Sequence, residues 1–128
     1  MPVITHITLD DNIHELVFSE SSRRAIDHFL DMLVQFYSEN GDDNLYFVLD
    51  MRESGMLPLR YLTKELRALL EAYPDREAAR IALVLDDPQM LNVTRALLNT
   101  IVRRDRVQYF TQVDKARLWL QIEQKKQQ

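Results

Sequence analysis

The sequence predicts a single α/β domain with the element order ββαβαβαβα and a mostly parallel five-stranded sheet whose first strand runs antiparallel. Three observations predict it. The runs Leu45 to Leu49 and Ile81 to Leu85 are apolar without polar alternation, as strands covered on both faces are. After an initial pair of strand-like segments, strand patterns alternate with stretches carrying apolar residues at three- and four-residue spacing, which is the rhythm of crossover helices over a parallel sheet. The length of 128 residues fits one core, and no linker-like stretch divides it, so residues 1–128 read as one domain.

The elements follow in order. Val3 to Leu9 and Ile13 to Phe18 flank Asp10-Asp11-Asn12, whose short polar side chains tolerate turn geometry, and together they read as a β-hairpin. With Leu9 placed opposite His14, the residues Thr5, Ile7 and Leu9 share a face with His14, Leu16 and Phe18. Ser19 to Ser22 supplies caps for a helix whose Ala25, Ile26, Phe29, Leu30, Leu33, Phe36 and Tyr37 form one stripe ending near Asn40-Gly41. Asn44 to Asp50 is the central strand, because Tyr, Phe and Val favour a pleated surface and the run is short. Pro58 to Tyr73 is a helix with Leu59, Leu62, Leu66, Leu69, Leu70 and Tyr73 on one side, Pro58 being acceptable in a first turn whose N–H groups are unpaired. Arg80 to Asp86 repeats the strand-to-acid pattern. Asp87-Pro88 then opens a helix to about Arg104, burying Leu91, Val93 or Thr94, Leu97, Leu98 and Ile101. Arg106 to Phe110 alternates as a half-wet edge strand. Thr111 and Asp114 form a capping-box pattern for a last helix through Ala116, Trp119, Leu120 and Glu123, with about residues 124–128 fraying.

Composition narrows the function classes. A net charge of -4 gives no overall attraction for nucleic acid or anionic membrane. No apolar run approaches the ~18 residues of a membrane span, and the start lacks a basic segment followed by an apolar core. The absence of cysteine removes disulfides, thiolate metal sites and thiol catalysis, and fits a cytoplasmic protein. Only two glycines leave no room for a phosphate-cradling loop, and His6, His14 and His28 show no metal-ligand spacing. The expectation is a chain with no catalytic constellation, no metal and no cofactor.

Three segments, NLYFVLDMRESG, RIALVLDD and VQYFTQVDKARLWL, resemble the SpoIIAA-like family, which includes the STAS domains of anti-sigma-factor antagonists and is similar in fold to CRAL-TRIO lipid carriers. In the last segment Phe110, Ala116, Trp119 and Leu120 match the usual closing strand and helix. The resemblance implies a β-α superhelix with strands largely in sequence order, and a regulatory or protein-interaction role. It also implies a phosphate acceptor at Ser54, in the loop after the central strand. Phosphorylated members carry Asp-Ser-Ser-Gly or Asp-Thr-Ser-Gly where this chain has Arg52-Glu53-Ser54-Gly55.

Candidate sites follow from the sheet, since ligands of open α/β sheets bind beyond the carboxyl ends of the strands. Those ends bring Asp50, Arg52, Glu53, Ser54 and Gly55 into question, with Arg60 and Lys64 on the following helix, as an edge for a protein partner or a small apolar or anionic ligand. Arg67 shares the face of Arg60 and Lys64, and Arg103, Arg104 and Arg106 form a second basic cluster. Asp50, Asp86 and Asp87 could be written as a cation site, but Asp87 is an N-cap by pattern and the other two simply end strands. A sheet with its helices on one side would also expose Tyr46, Val48, Ala82 and Val84, a patch that a homodimer or an apolar ligand would cover.

Overall fold

In the computed structural model, residues 2–9, 12–40, 44–76, 78–99 and 105–126 are described. The elements are β1 (Ile4–Leu9), β2 (Ile13–Phe18), α1 (Arg23–Asn40), β3 (Tyr46–Asp50), α2 (Leu59–Ala72), β4 (Arg80–Val84), α3 (Pro88–Leu98), β5 (Arg106–Phe110) and α4 (Val113–Lys126). They form one five-stranded sheet in the order β1-β2-β3-β4-β5. β1 pairs antiparallel to β2, and every later pairing is parallel. This is the predicted architecture.

The hairpin register differs from the expectation by one residue. Leu9 faces Ile13 and Thr8 faces His14, so Ile4, His6 and Thr8 share a face with Phe18, Leu16 and His14. The cause is the turn. Three residues connect Leu9 to Ile13, and Asn12 takes φ 63, the left-handed position that closes a three-residue hairpin loop. Thr5 and Ile7 consequently lie on the opposite face, where both are exposed.

Helices cover both faces of the sheet. α1, α2 and α3 pack on the first face, where Leu16, Phe18, Phe47, Leu49 and Leu83 meet Phe29, Leu33, Leu62 and Leu66 in the larger core. α4 lies alone on the second face, with Ala116 and Leu120 against Ile13, Tyr46, Val48, Ala82 and Val84. The apolar patch expected at Tyr46, Val48, Ala82 and Val84 is therefore absent, since α4 leaves these residues at most 5% exposed. A homodimer needed to cover that patch loses its reason.

Local chemistry sets the helix ends. Ser22 Oγ accepts from the Ala25 amide at 3.1 Å and donates to Glu20 Oε2 at 2.6 Å, capping α1. Pro58 stands just outside α2 as its N-cap rather than inside the first turn, and Tyr73 is the C-cap. Asp87 caps α3 by accepting from the Gln89 amide at 2.9 Å. α3 stops at Leu98 with Asn99 as C-cap, short of the expected Arg104; Ile101, Arg103 and Arg104 lie outside the described residues. Thr94 rather than Val93 turns inward, its hydroxyl satisfied by the Met90 carbonyl at 2.8 Å, while Leu97 is 37% exposed instead of buried. α4 does not fray from residue 124 but continues to Lys126. Its last turns are held by Glu123, 1% exposed and paired with Arg106 at 2.9 Å.

Two other buried carboxylates tie distant segments together. Asp105 accepts from Arg76 Nη2 and from the Ala79 amide, each at 2.7 Å, joining the approaches to β4 and β5. Glu15, 2% exposed in the middle of β2, accepts from Arg117 Nη2 at 2.8 and 2.7 Å across 102 positions of sequence. Removing one member of such a pair strands the other charge, whereas replacing both by apolar groups is often neutral. Urea denaturation is expected to show Arg117→Leu destabilised by about 3 kcal/mol, and Glu15→Leu combined with Arg117→Leu returned most of the way to wild type.

His6 Nε2 and His14 Nδ1 lie 3.0 Å apart, with Phe36 against both rings and Phe47 against His14. Burial, and then the neighbouring His6, hold the His14 pKa below its ordinary value of 6.5. Below that value the unfolded chain takes up a proton that folded His14 resists, so the native state binds fewer protons and loses stability as pH falls. Denaturation midpoints measured at about pH 7.5 and about pH 5.5 should fall on acidification, and His14→Gln should flatten the difference.

Candidate functional site

The loop after β3 is built on one buried carboxylate. Asp50 ends β3 between Val17 and Val84, on the face that carries α4, and is 4% exposed. Arg52 folds back onto it, donating its backbone amide and Nε to Oδ1 at 3.1 and 2.9 Å and Nη2 to Oδ2 at 2.8 Å. Burial raises the Asp50 pKa, but these bonds, the Arg52 charge and the more distant Arg117 outweigh it, and the carboxyl sits below its usual range. The turn then closes through Gly55, whose amide donates to the Met51 carbonyl at 2.8 Å. Gly55 has φ +75, a backbone position that other residues rarely adopt, although open space surrounds it. Half-buried Ser54 donates its hydroxyl to the Gly55 carbonyl at 2.9 Å, and Glu53 is exposed. Ser21 Oγ donates to the Met56 carbonyl at 2.5 Å and moors the loop to the start of α1.

Beyond the carboxyl ends of the strands lies an open cleft of about 360 Å³ lined by Val17, Asp50, Arg52, Glu53 and Asp86. Its lining is mostly charged, with three carboxylates and one guanidinium already committed to Asp50. Asp87 is turned to its capping role, so Asp50, Asp86 and Asp87 do not act together, and no group of three His, Asp or Glu residues suited to a metal occurs among the described residues. A separate enclosed space of about 40 Å³ lies between α1, α2 and the sheet, lined by residues including Phe29, Leu33, Phe47 and Leu66.

Arg60, Lys64 and Arg67 come together on the other side of the sheet. With Leu59, Thr63, Ala68, Glu71 and Leu97 they line a shallow groove of about 410 Å³ on α2 beside α3. Among the described residues none of the three cations forms an ion pair. The predicted edge thus divides in two. Asp50, Arg52 and Glu53 face the charged cleft, and Arg60 and Lys64 face the groove, with Ser54 and Gly55 as the turn between them. Arg106, expected in a basic cluster, is occupied by Glu123, and its partners Arg103 and Arg104 fall outside the described residues.

The Glu15–Arg117 pair below the cleft escaped the sequence. Its one visible signal is a glutamate between Ile13 and Val17 on a strand face, where an acid must find a cation or face water. Nothing in the chain pattern names Arg117 as that cation. The pairing of His6 with His14 needs the hairpin register and was equally hidden.

No family model matches the sequence, and no curated protein matches it. A solved structure does match the fold: an uncharacterized DUF3478-family protein from Shewanella loihica PV-4, described as having a SpoIIAA-like fold. The two share 15% sequence identity, with a TM-score of 0.65 over 91% of each chain. The chain is a single α/β domain with a SpoIIAA-like fold, one antiparallel strand opening an otherwise parallel sheet.

Proposed function

We propose that the protein is a non-catalytic regulatory or protein-interaction module that receives an acidic partner segment in the groove on α2 beside α3, with the Met51 to Gly55 loop as an adjoining contact. The observation that carries this is the set of cations Arg60, Lys64 and Arg67, without an ion pair among the described residues, beside half-exposed Leu97, on a chain whose net charge is -4. Exposed cations on an acidic protein create a local field of opposite sign, which steers an acidic partner segment to that place. The apolar neighbours supply area for the partner's own apolar side chains.

The loop contributes shape more than charge. Arg52 is held by Asp50, and the Ser54 hydroxyl is engaged with Gly55, so Arg52 is not free to pair with the phosphate that the family resemblance implies at Ser54. A carrier of a small ligand, the other role in view, draws less support. The enclosed space of about 40 Å³ is far below the ~150 Å³ of an apolar cavity that holds benzene, and the cleft is open and charged.

Partner capture from host extract, repeated with the double variant Arg60→Glu, Lys64→Glu, tests the groove. Captured protein should fall about tenfold or more, with stronger salt dependence for the wild type. Equal capture by both chains would move the contact elsewhere. Mass spectrometry of the same protein purified from its host should find Ser54 unmodified; phosphate there would shift the regulatory point to the loop.

A further inference from the structure

Arg60, Lys64 and Arg67 stand four and then three residues apart on α2, so at ~1.5 Å of rise per residue they follow its axis at intervals of about 6 Å and about 4.5 Å. All three are exposed. Steps of four and three keep a row on one side of a helix for several turns, as in the seams along which helices pair. Exposed Glu71 stands four residues further along the same row, where it lines the groove and ends the run of positive charge.

The wall on α3 is apolar. Leu97 lines the groove and Val93 stands one turn before it; the two are 37% and 45% exposed, while Leu91, Thr94 and Leu98 turn to the core. Both walls are helices with their backbone groups bonded internally, so the groove offers no row of free N–H and C=O groups for an extended segment to pair with. An extended segment also presents one side only at every second residue, about 6.6 Å apart, which fits the step from Arg60 to Lys64 and misses the step from Lys64 to Arg67. A helix with acids at i, i+4 and i+7 meets both steps and bonds its own backbone.

We infer, on the reading of this groove as the contact site, that the acidic partner segment is an amphipathic α-helix lying along α2, with its carboxylates toward Arg60, Lys64 and Arg67 and an apolar flank on Val93 and Leu97. Charge complementarity selects the occupant, since three cations in a row take three acids and Glu71 repels a fourth. A purely acidic tail would gain nothing from Val93 and Leu97, whereas an amphipathic helix covers them.

Fluorescence anisotropy with two labelled synthetic peptides of about 18 residues and identical composition tests the helix. The first is alanine-rich, with glutamates at i, i+4 and i+7, leucines along one flank of that row, and its single proline at the first helical position. The second moves the proline to the middle, which breaks a helix, and keeps every other residue in order. The first peptide should bind the chain about tenfold more tightly than the second and gain helical circular dichroism as it binds. Its affinity should fall about tenfold with Arg67→Glu and about threefold with Val93→Asn, both exposed positions whose replacement leaves the fold intact. Equal affinity of the two peptides, or binding without a gain in helicity, would overturn the helix and leave the groove as the contact. Binding indifferent to Arg67→Glu would overturn both. Binding of neither peptide at up to about 1 mM would also overturn the helix, the groove then standing or falling by the capture experiment with Arg60→Glu, Lys64→Glu.

Discussion

The central strand has no wet side, and the rest of the molecule answers to that constraint. Every residue of β3 from Tyr46 to Asp50 is buried, so both faces of the sheet must be roofed. Three helices roof one face and α4 alone roofs the other. α4 is consequently the element on which the second core depends. Its inward residues Ala116 and Leu120 are fully buried, and its flank supplies Arg117 to Glu15. A hydrophobic stripe fixes that a helix packs somewhere, whereas the ion pair reaching out to β2 helps set where it lies over β3, β4 and β5.

Buried acids recur at positions where segments distant in sequence meet. Asp105 joins the approaches to β4 and β5, Glu123 ties the end of α4 to the start of β5, and Glu15 ties β2 to α4. Each costs desolvation that its guanidinium offsets, at Glu123 through one oxygen only since Oε2 has no hydrogen bond, so these pairs contribute more to the choice of arrangement than to net stability. Asp50 differs because its partner Arg52 is only two residues away. That pair organises a turn, and the turn delivers Gly55 and the entry to α2.

Surface features divide by face. The carboxyl ends of the strands present an acidic cleft whose cation is already bound to Asp50, and the groove on α2 presents cations that form no ion pair among the described residues. A fold of this kind hosts unrelated functions, so the functional conclusion rests on these local charges, not on the architecture.

The sequence by itself determined the element order, the parallel sheet with one antiparallel strand, and most of the inward-facing residues. These follow from local periodicity and from capping residues such as Ser22 and Asp87, which act within a few positions of chain. It also singled out Arg60, Lys64 and Arg67 as one helix face, because helical spacing is local. Tertiary structure alone decided the hairpin register, which hinges on Asn12 in the left-handed region and carries His6 to His14. It alone placed α4 over Tyr46, Val48, Ala82 and Val84, and so removed a patch that the pattern of strands had left open. It alone also split the predicted edge, putting Asp50, Arg52 and Glu53 at the cleft and Arg60 and Lys64 at the groove on α2. Pairings such as Glu15 with Arg117 span 102 positions and leave no periodic trace, because a buried charge constrains only its partner's location in space.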